Sequence, residues 1–298
     1  MTQDNDQTGA QRAARLLELL DLQQIEQNLY LGQNETLHRT RLFGGQVLAQ
    51  AAAAAYRTVE DLQLHSLQGY FLRAGSPQRP VLYEIERIRD GRSFTTRRVV
   101  AIQNGEAIFN MDVSFQIAEP GFEHANPVPN VPLPHELEDD VTVARRHPTH
   151  LHTMSPLATQ ERPFEMRSVF QPGTDAASQN RAWSPTWIRF RQPVAENDKV
   201  LARCLLAYAS DMGLVSTASL PHQSLVDRQS IQMASLDHTL WIHREVPMHD
   251  WILFHKRTST AQGSRGLVHA EFYSTTGELI ASVSQEGLLR SLQPQDEK

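Results

Sequence analysis

Apolar positions change their period several times along this chain of 298 residues, and each change marks an element. In "ARLLELLDLQQIEQNLYLGQN" (14–34) leucines recur at helical spacing and then give way to apolar–polar alternation. The stretch "LFGGQVLAQAAAAAYRTV" predicts a second helix over about residues 44–57. Alternating runs follow in "LHSLQGYFLRAGSP", "PVLYEIERIRD", "SFTTRRVVAIQN" and "EAIFNMDVSFQIAE", with Asp90-Gly91 and Asn104-Gly105 between them. Such dipeptides between alternating runs are hairpin signals. The first half therefore predicts one helix followed by an antiparallel meander, with residues 1–12 disordered.

The helix at 44–57 has an unusual composition. It opens on Gly44 and Gly45 and carries alanine from Ala51 to Ala55. Glycine costs about 1 kcal/mol relative to alanine inside a helix. A small-faced helix suits close approach by another backbone or a long ligand. Bare N–H groups at its start can hold a carbonyl oxygen or an anion. The plain alternative is an alanine-rich surface helix.

Residues 118–160 change character. The segment "EPGFEHANPVPNVPLPHELEDD" holds five of the sixteen prolines, as linkers do. Beyond it "PFEMRSVF" and "PTWIRFRQP" read as strands, "LARCLLAYASDMGLVSTASL" carries a helix, and "IQMASLDHTLWIHRE" alternates. "WILFHKRTSTAQ", "GLVHAEFYSTTG" and "ELIASVSQEGLLR" form another meander. Gly91 and Gly105 lie 172 residues before Gly263 and Gly277, and "NGEAIF" answers "TGELIA" at the same offset. This points to a duplication, with domains over 13–118 and 161–291 and a proline-rich linker over 119–160. A slim helix buried in a curled antiparallel sheet, made twice, is the packing solution this pattern suggests.

Composition narrows the function. A net charge of −6 argues against a nucleic-acid partner. No apolar run approaches the length of a membrane helix, so no membrane insertion is expected. The lone Cys204 excludes an internal disulfide and suits a reducing compartment. No apolar signal core stands at the N-terminus and no Ser-Lys-Leu-type tripeptide at the C-terminus, which predicts a cytoplasmic location. His147, His150 and His152 cluster in "RRHPTHLH", but further metal ligands are not evident. There is no G-x-S-x-G, GxGxxG, P-loop or HExxH motif.

The segments "LLELLDLQQIEQNLYLGQN", "LFGGQVLAQA", "HSLQGYFLRAG", "RDGRSFTTRRVVAIQNGEAIF", "YASDMGLVSTASLPH", "LDHTLWIHR" and "SRGLVHAEFYSTTGELIASVSQEGLLR" occur in an order and spacing that resemble the acyl-CoA thioesterase II family. The resemblance runs from Leu16 to Arg290. It implies an α+β tandem (double) hot-dog fold, each unit a long helix wrapped by a curved antiparallel sheet. It implies hydrolysis of fatty acyl-CoA thioesters of medium to long chain, without metal or cofactor, by a homo-oligomer (dimer or tetramer of double hot-dogs). The family's water-holding Asp, Thr or Ser, and Gln fall on Asp211, Ser235 and Gln285.

These types suit the chemistry. A carboxylate accepts a proton from water, and serine and glutamine both donate and accept hydrogen bonds. Asp211 is expected at the start of the second domain's helix, where a simple N-cap is the competing role. Ser235 and Gln285 would be ordinary strand residues elsewhere. Ser235 also stands where the relatives usually carry threonine, and its freer rotamer would hold water less firmly. His65 and His238 invite attention as bases, but strand alternation turns His238 away from Ser235, and both read as structural. Arg87, Arg89, Arg92, Arg97 and Arg98 fit either coenzyme A phosphates or a solvated strand face. The rival functions are a hot-dog enoyl-CoA hydratase and a non-catalytic acyl-CoA-binding protein. No histidine lies between Asp211 and His222, which favours hydrolysis over hydration.

Overall fold

A computed structural model describes residues 7–35, 40–147, 159–171, 181–222 and 230–292. The first described element is helix α1 (Gly9–Leu20), so residues 9–12, expected to be disordered, are helical. The Thr8 hydroxyl accepts from the Gln11 N–H and the Gln11 side chain accepts from the Thr8 N–H, a capping box that fixes this start. Strands β1 (Gln23–Glu26) and β2 (Leu29–Gly32) follow, then helix α2 (Gly44–Tyr56). Strands β3 (Gln63–Phe71), β4 (Val81–Asp90), β5 (Phe94–Gln103) and β6 (Glu106–Gln116) complete the first half.

The second half repeats the plan. Helix α3 (Asp140–Arg146) lies within the proline-rich segment, and Asp140 ties it to β7 (Phe164–Ser168) through the Ser168 N–H and hydroxyl, both at 2.7 Å. Strand β8 (Trp183–Phe190) and helix α4 (Lys199–Ser210) follow, with α5 (Leu214–Ala218) as a separate turn of helix. The helix read across "LARCLLAYASDMGLVSTASL" is thus two, broken where Gly213 takes φ +78°. Strands β9 (Ile231–Ser235), β10 (Asp237–Ile242), β11 (Ile252–Gln262), β12 (Arg265–Ser274) and β13 (Leu279–Ser291) close the chain.

All strands join one antiparallel sheet in the order β1-β2-β4-β5-β6-β3-β10-β13-β12-β11-β8-β7, with β9 added beside β13. The arrangement reads the same from either end, which is the duplication made visible. Only β4-β5-β6 and β11-β12-β13 are meanders; β3 crosses to pair with β6, and β10 with β13. A simple meander would have left β3 beside β4. Crossing brings β3 to the middle, where it pairs with β10 and sets Leu67 opposite Leu240. Neither half has a free central edge, which removes the exposed strand pairing that a lone half would present.

The alanine-rich helix is core, not surface. Every α2 residue from Gly45 to Tyr56 is buried. It packs against α4, with Tyr208 of α4 beside the start of α2. The sheet wraps both helices, and one continuous apolar cluster runs through the two halves. Alanine lets the helices approach closely because it adds no bulk between them and costs no side-chain entropy.

Candidate active site

Three observations build the site. Helix α4 ends at Ser210, so Asp211 caps its C-terminus rather than opening a helix. The expected place at a helix start is therefore corrected, and the competing N-cap role falls with it. Gly213 reverses the backbone just beyond, and the Asp211 side chain turns toward α2. A Cβ on Gly44 would sit 2.7 Å from Asp211 Oδ2, and one on Gly45 would sit 2.4 Å from the Tyr208 carbonyl oxygen. Both contacts are too close for any side chain. This is why α2 opens on two glycines: Gly45 meets the backbone at the end of α4, and Gly44 leaves room for the Asp211 carboxylate and the Phe71 ring.

Ser235 ends β9, and the chain jogs at Leu236, whose N–H goes to the Glu286 carbonyl and whose own carbonyl accepts from Phe71 N–H. This brings Ser235 beside Gln285 on β13. Gln285 Nε2 donates to Ser235 Oγ at 2.9 Å, and Ser235 Oγ donates to Asp211 Oδ1 at 3.2 Å. The carboxylate also receives hydrogen bonds from the Gln285 side chain and the Gly45 N–H. Asp211, Ser235 and Gln285, far apart in sequence, therefore form one cluster.

Burial pushes the Asp211 carboxyl up to about 6; the donors Gln285, Ser235 and Gly45, and the Arg41 cation, pull against that rise. The residue is 7% exposed. It lies on the wall of a cavity of about 430 Å³ shared by both halves. The apolar side chains of Leu42, Val47, Phe71, Ile108 and Phe109 line one part, and Met233 to Leu236 another. Exposed Arg41 and Arg73 line it as well.

His238 does not turn away from this cluster. The break at Leu236 interrupts the strand, so alternation counted from Ser235 does not carry into β10. His238 faces inward and is fully buried, with Nδ1 2.5 Å from Gln285 Oε1 and Nε2 2.8 Å from Ser210 Oγ. Burial pushes its imidazole down to about 4.

Known proteins are similar to this chain over most of its length. A family model described as acyl-CoA thioesterase matches residues 152–288, and one described as acyl-CoA thioesterase N-terminal domain matches residues 35–116. Acyl-coenzyme A thioesterase 8 of Mus musculus is 38% identical, over 97% of this chain and 93% of its own length. Acyl-CoA thioesterase 2 of Haemophilus influenzae is 35% identical, over 92% of this chain and 96% of its own. The crystal structure of an acyl-CoA thioesterase II from Mycobacterium marinum is 38% identical, with a TM-score of 0.76, and covers 93% of this chain and 98% of its own. The chain belongs to the acyl-CoA thioesterase II family.

A hot-dog fold protein from Alicyclobacillus acidocaldarius matches at a TM-score of 0.75 with 18% identity, over 93% of this chain and 98% of its own, which shows the shared tandem hot-dog architecture. Within this thioesterase the other sequence candidates have ordinary structural surroundings. Arg97 is buried and donates to Thr58 Oγ1 and Asp90, while Arg98 pairs with Asp112 and Arg87 with Asn28. No member of that arginine cluster lines the cavity. His65 bonds Ser114, away from the site. Cys204 is buried and its thiol is pushed up to about 12 by burial, so it is no nucleophile. His150 and His152 lie outside the described residues, and His147 caps α3. Among the described residues no three His, Cys, Asp or Glu side chains converge to hold a metal. No helix among them is long and apolar enough to cross a membrane.

Sequence reasoning raised the amides at the Gly44-Gly45 helix start and weighed His238, though it turned that residue away from Ser235; it did not pick out Ser210 or Arg41. Their place at the site depends on which elements the topology brings together.

Proposed function

We propose that this thioesterase cleaves fatty acyl-CoA of medium to long chain to free acid and coenzyme A by direct attack of a water held by Asp211, Ser235 and Gln285. The observation that carries this is a buried carboxylate, held by Ser235 and Gln285 and open to an apolar-walled cavity, with burial pushing it up to about 6. Asp211 takes a proton as the water oxygen bonds to the carbonyl carbon. Charge grows on the carbonyl oxygen, and the Gly44 N–H, at the start of α2 on the cavity wall, is the donor suited to meet it. Collapse breaks the C–S bond, and the proton held by Asp211 passes to the leaving sulfur. The apolar wall is the surface suited to the acyl chain.

Hydration would need a histidine free to donate a proton, whereas His238 is buried and neutral and engages both ring nitrogens. Thiol release from acyl-CoAs of increasing chain length, before and after EDTA, with enoyl-CoA hydration measured alongside, tests the reading. Chain-length-dependent release that survives EDTA supports it. Hydration without release, or binding without turnover, refutes it.

The reading extends to a role in fatty acid metabolism and to two hot-dog units over 13–118 and 161–291 joined by 119–160. It also takes the whole chain to be a homo-oligomer. Exposed Tyr70 and Trp241 on the outer face of the central strands β3 and β10 are surfaces that pairing would cover. Sedimentation equilibrium at the dimer or tetramer mass supports this, and a monomer at micromolar concentration refutes it. A cytoplasmic location fits the single, buried cysteine, and cell fractionation tests it.

A further inference from the structure

Gln285 makes demands that it cannot meet alone. Its amide has one acceptor end and one donor end, nearly identical in shape. The Asp211 carboxylate only accepts hydrogen bonds, so the productive orientation turns the NH2 group toward Asp211 and Ser235. The carbonyl Oε1 must then find a donor on its other side. That neighbour is His238 Nδ1, at 2.5 Å.

A neutral imidazole carries one N–H, so a proton on Nδ1 leaves Nε2 bare. Nε2 sits 2.8 Å from the Ser210 hydroxyl, which has its own proton to give. The same hydroxyl lies 2.8 Å from the Ala207 carbonyl, its alternative acceptor. With Ser210 donating to His238, every donor in the series finds an acceptor. Ser210 O–H goes to Nε2, Nδ1–H to Gln285 Oε1, Gln285 NH2 to Ser235 Oγ, and Ser235 O–H to Asp211 Oδ1. Reversing the amide would set its carbonyl against the carboxylate, and would require the imidazole proton on Nε2 with Ser210 donating to Ala207 instead. All five side chains except Ser235 are buried, so water does not repair such a mismatch.

We infer that His238 is a positioning residue for the hydrolysis: its Nδ1–H, held by Ser210, locks the Gln285 amide with its NH2 toward the carboxylate and the attacking water. The inference rests on the water-holding reading of Asp211, Ser235 and Gln285. The histidine itself neither touches the thioester nor carries the proton.

Asparagine and leucine are close in shape, but only asparagine keeps a donor near the Nδ1 position. His238→Leu should lower kcat by roughly 10- to 100-fold with KM little changed, and His238→Asn should recover most of that loss. In a Gln285→Ala background, His238→Leu should add less than about twofold, because the two act as one unit. Loss of the Gln285 donor also raises the Asp211 pKa. The acidic limb of the kcat/KM profile should therefore move to higher pH in His238→Leu and not in His238→Asn. The other charged or titratable groups facing the carboxylate, Arg41 and Tyr208, are unchanged in both variants.

Wild-type kcat in His238→Leu, equal losses in both variants, or an undiminished effect in the Gln285→Ala background would overturn the inference. If His238→Leu does not fold, His238→Asn alone decides: most of kcat retained supports it, and a loss beyond tenfold rejects it. If Gln285→Ala itself leaves kcat unchanged, the water-holding reading fails first, and that result is distinct from a failure of His238 alone.

Discussion

The antiparallel helices α2 and α4 have two ends, and duplication made those ends equivalent in plan but not in chemistry. At one end α2 begins and α4 finishes; there Gly44 and Gly45 meet Asp211, and Ser235 and Gln285 close around the carboxylate. At the other end α2 finishes and α4 begins. Arg57 caps α2 and pairs with Asp21, and Asp198 caps α4 through the Leu201 N–H. Tyr56 packs edge-on against Phe115, and Thr58 takes a bond from buried Arg97. The position 172 residues before Gln285 is Val113, buried and apolar.

Helix dipoles explain what the difference costs. At the second end each charge suits its own helix, a cation at a C-terminus and an anion at an N-terminus. At the first end Asp211 stands at the C-terminus of α4, where the local carbonyls disfavour its charge, and it is helped only by the start of α2 and its polar neighbours. On the mechanism proposed above, that end gives up stability for a poised base. The second end is a stable joint.

Mutations at the two ends should separate these roles. Asp211→Asn keeps the shape but removes the base and turns one acceptor oxygen into a donor, so turnover should fall by roughly 10² to 10⁴ in a thiol-release assay, with the fold intact. Gly45→Ala should come next: the new methyl meets the Tyr208 carbonyl, forcing α2 from α4. A displacement near 1 Å costs on the order of 100-fold in rate, and overpacking about 1–3 kcal/mol in denaturant unfolding. The same readouts for Arg57→Ala, at the other end, should show turnover within about twofold and a loss under about 1 kcal/mol. An Arg57 variant as impaired as the Gly45 variant would erase the contrast.

The trade at the first end is also visible in stability. The native Asp211 carboxyl binds its proton more tightly than in the unfolded chain, since it moves from 3.8 to about 6. Well below pH 3.8 both states are protonated and nothing is lost; as pH rises through 3.8 to 6 the folded state loses ground, to about 3 kcal/mol at pH 7. The melting temperature of Asp211→Asn relative to wild type should therefore climb between pH 4 and pH 7. A constant difference would show that the carboxylate is not strained.

The alternating strands and hairpins were legible because period-two patterns and Asn-Gly turns are local. Asn104 and Gly105 do adopt positive φ, as a tight turn between β5 and β6 requires. The helix at 44–57 was legible too; its alanines alone left core and surface open, and only the strand meander that follows it pointed to the burial observed. The place of β3 beside β6, and the end rather than the start of α4 at Asp211, depend on tertiary pairing that no local pattern encodes. Thr8 and Gln11 did carry a local signal for α1, a T-x-x-Q capping box that was overlooked. His238 escaped because alternation presumes an unbroken strand, and Leu236 breaks it.

The central claim is that an ionised Asp211 carboxylate drives the attack of water. The most direct test is the pH dependence of kcat/KM for an acyl-CoA substrate, measured on wild type and Asp211→Asn. A base held at about 6 predicts a wild-type rate that rises through pH 6 to a plateau, because only the deprotonated carboxylate accepts the proton. The residual rate of Asp211→Asn should lack that limb. A flat wild-type profile between pH 4.5 and 7.5, spanning the ~6 region where such a base titrates, or the same limb persisting in Asp211→Asn, would contradict the account.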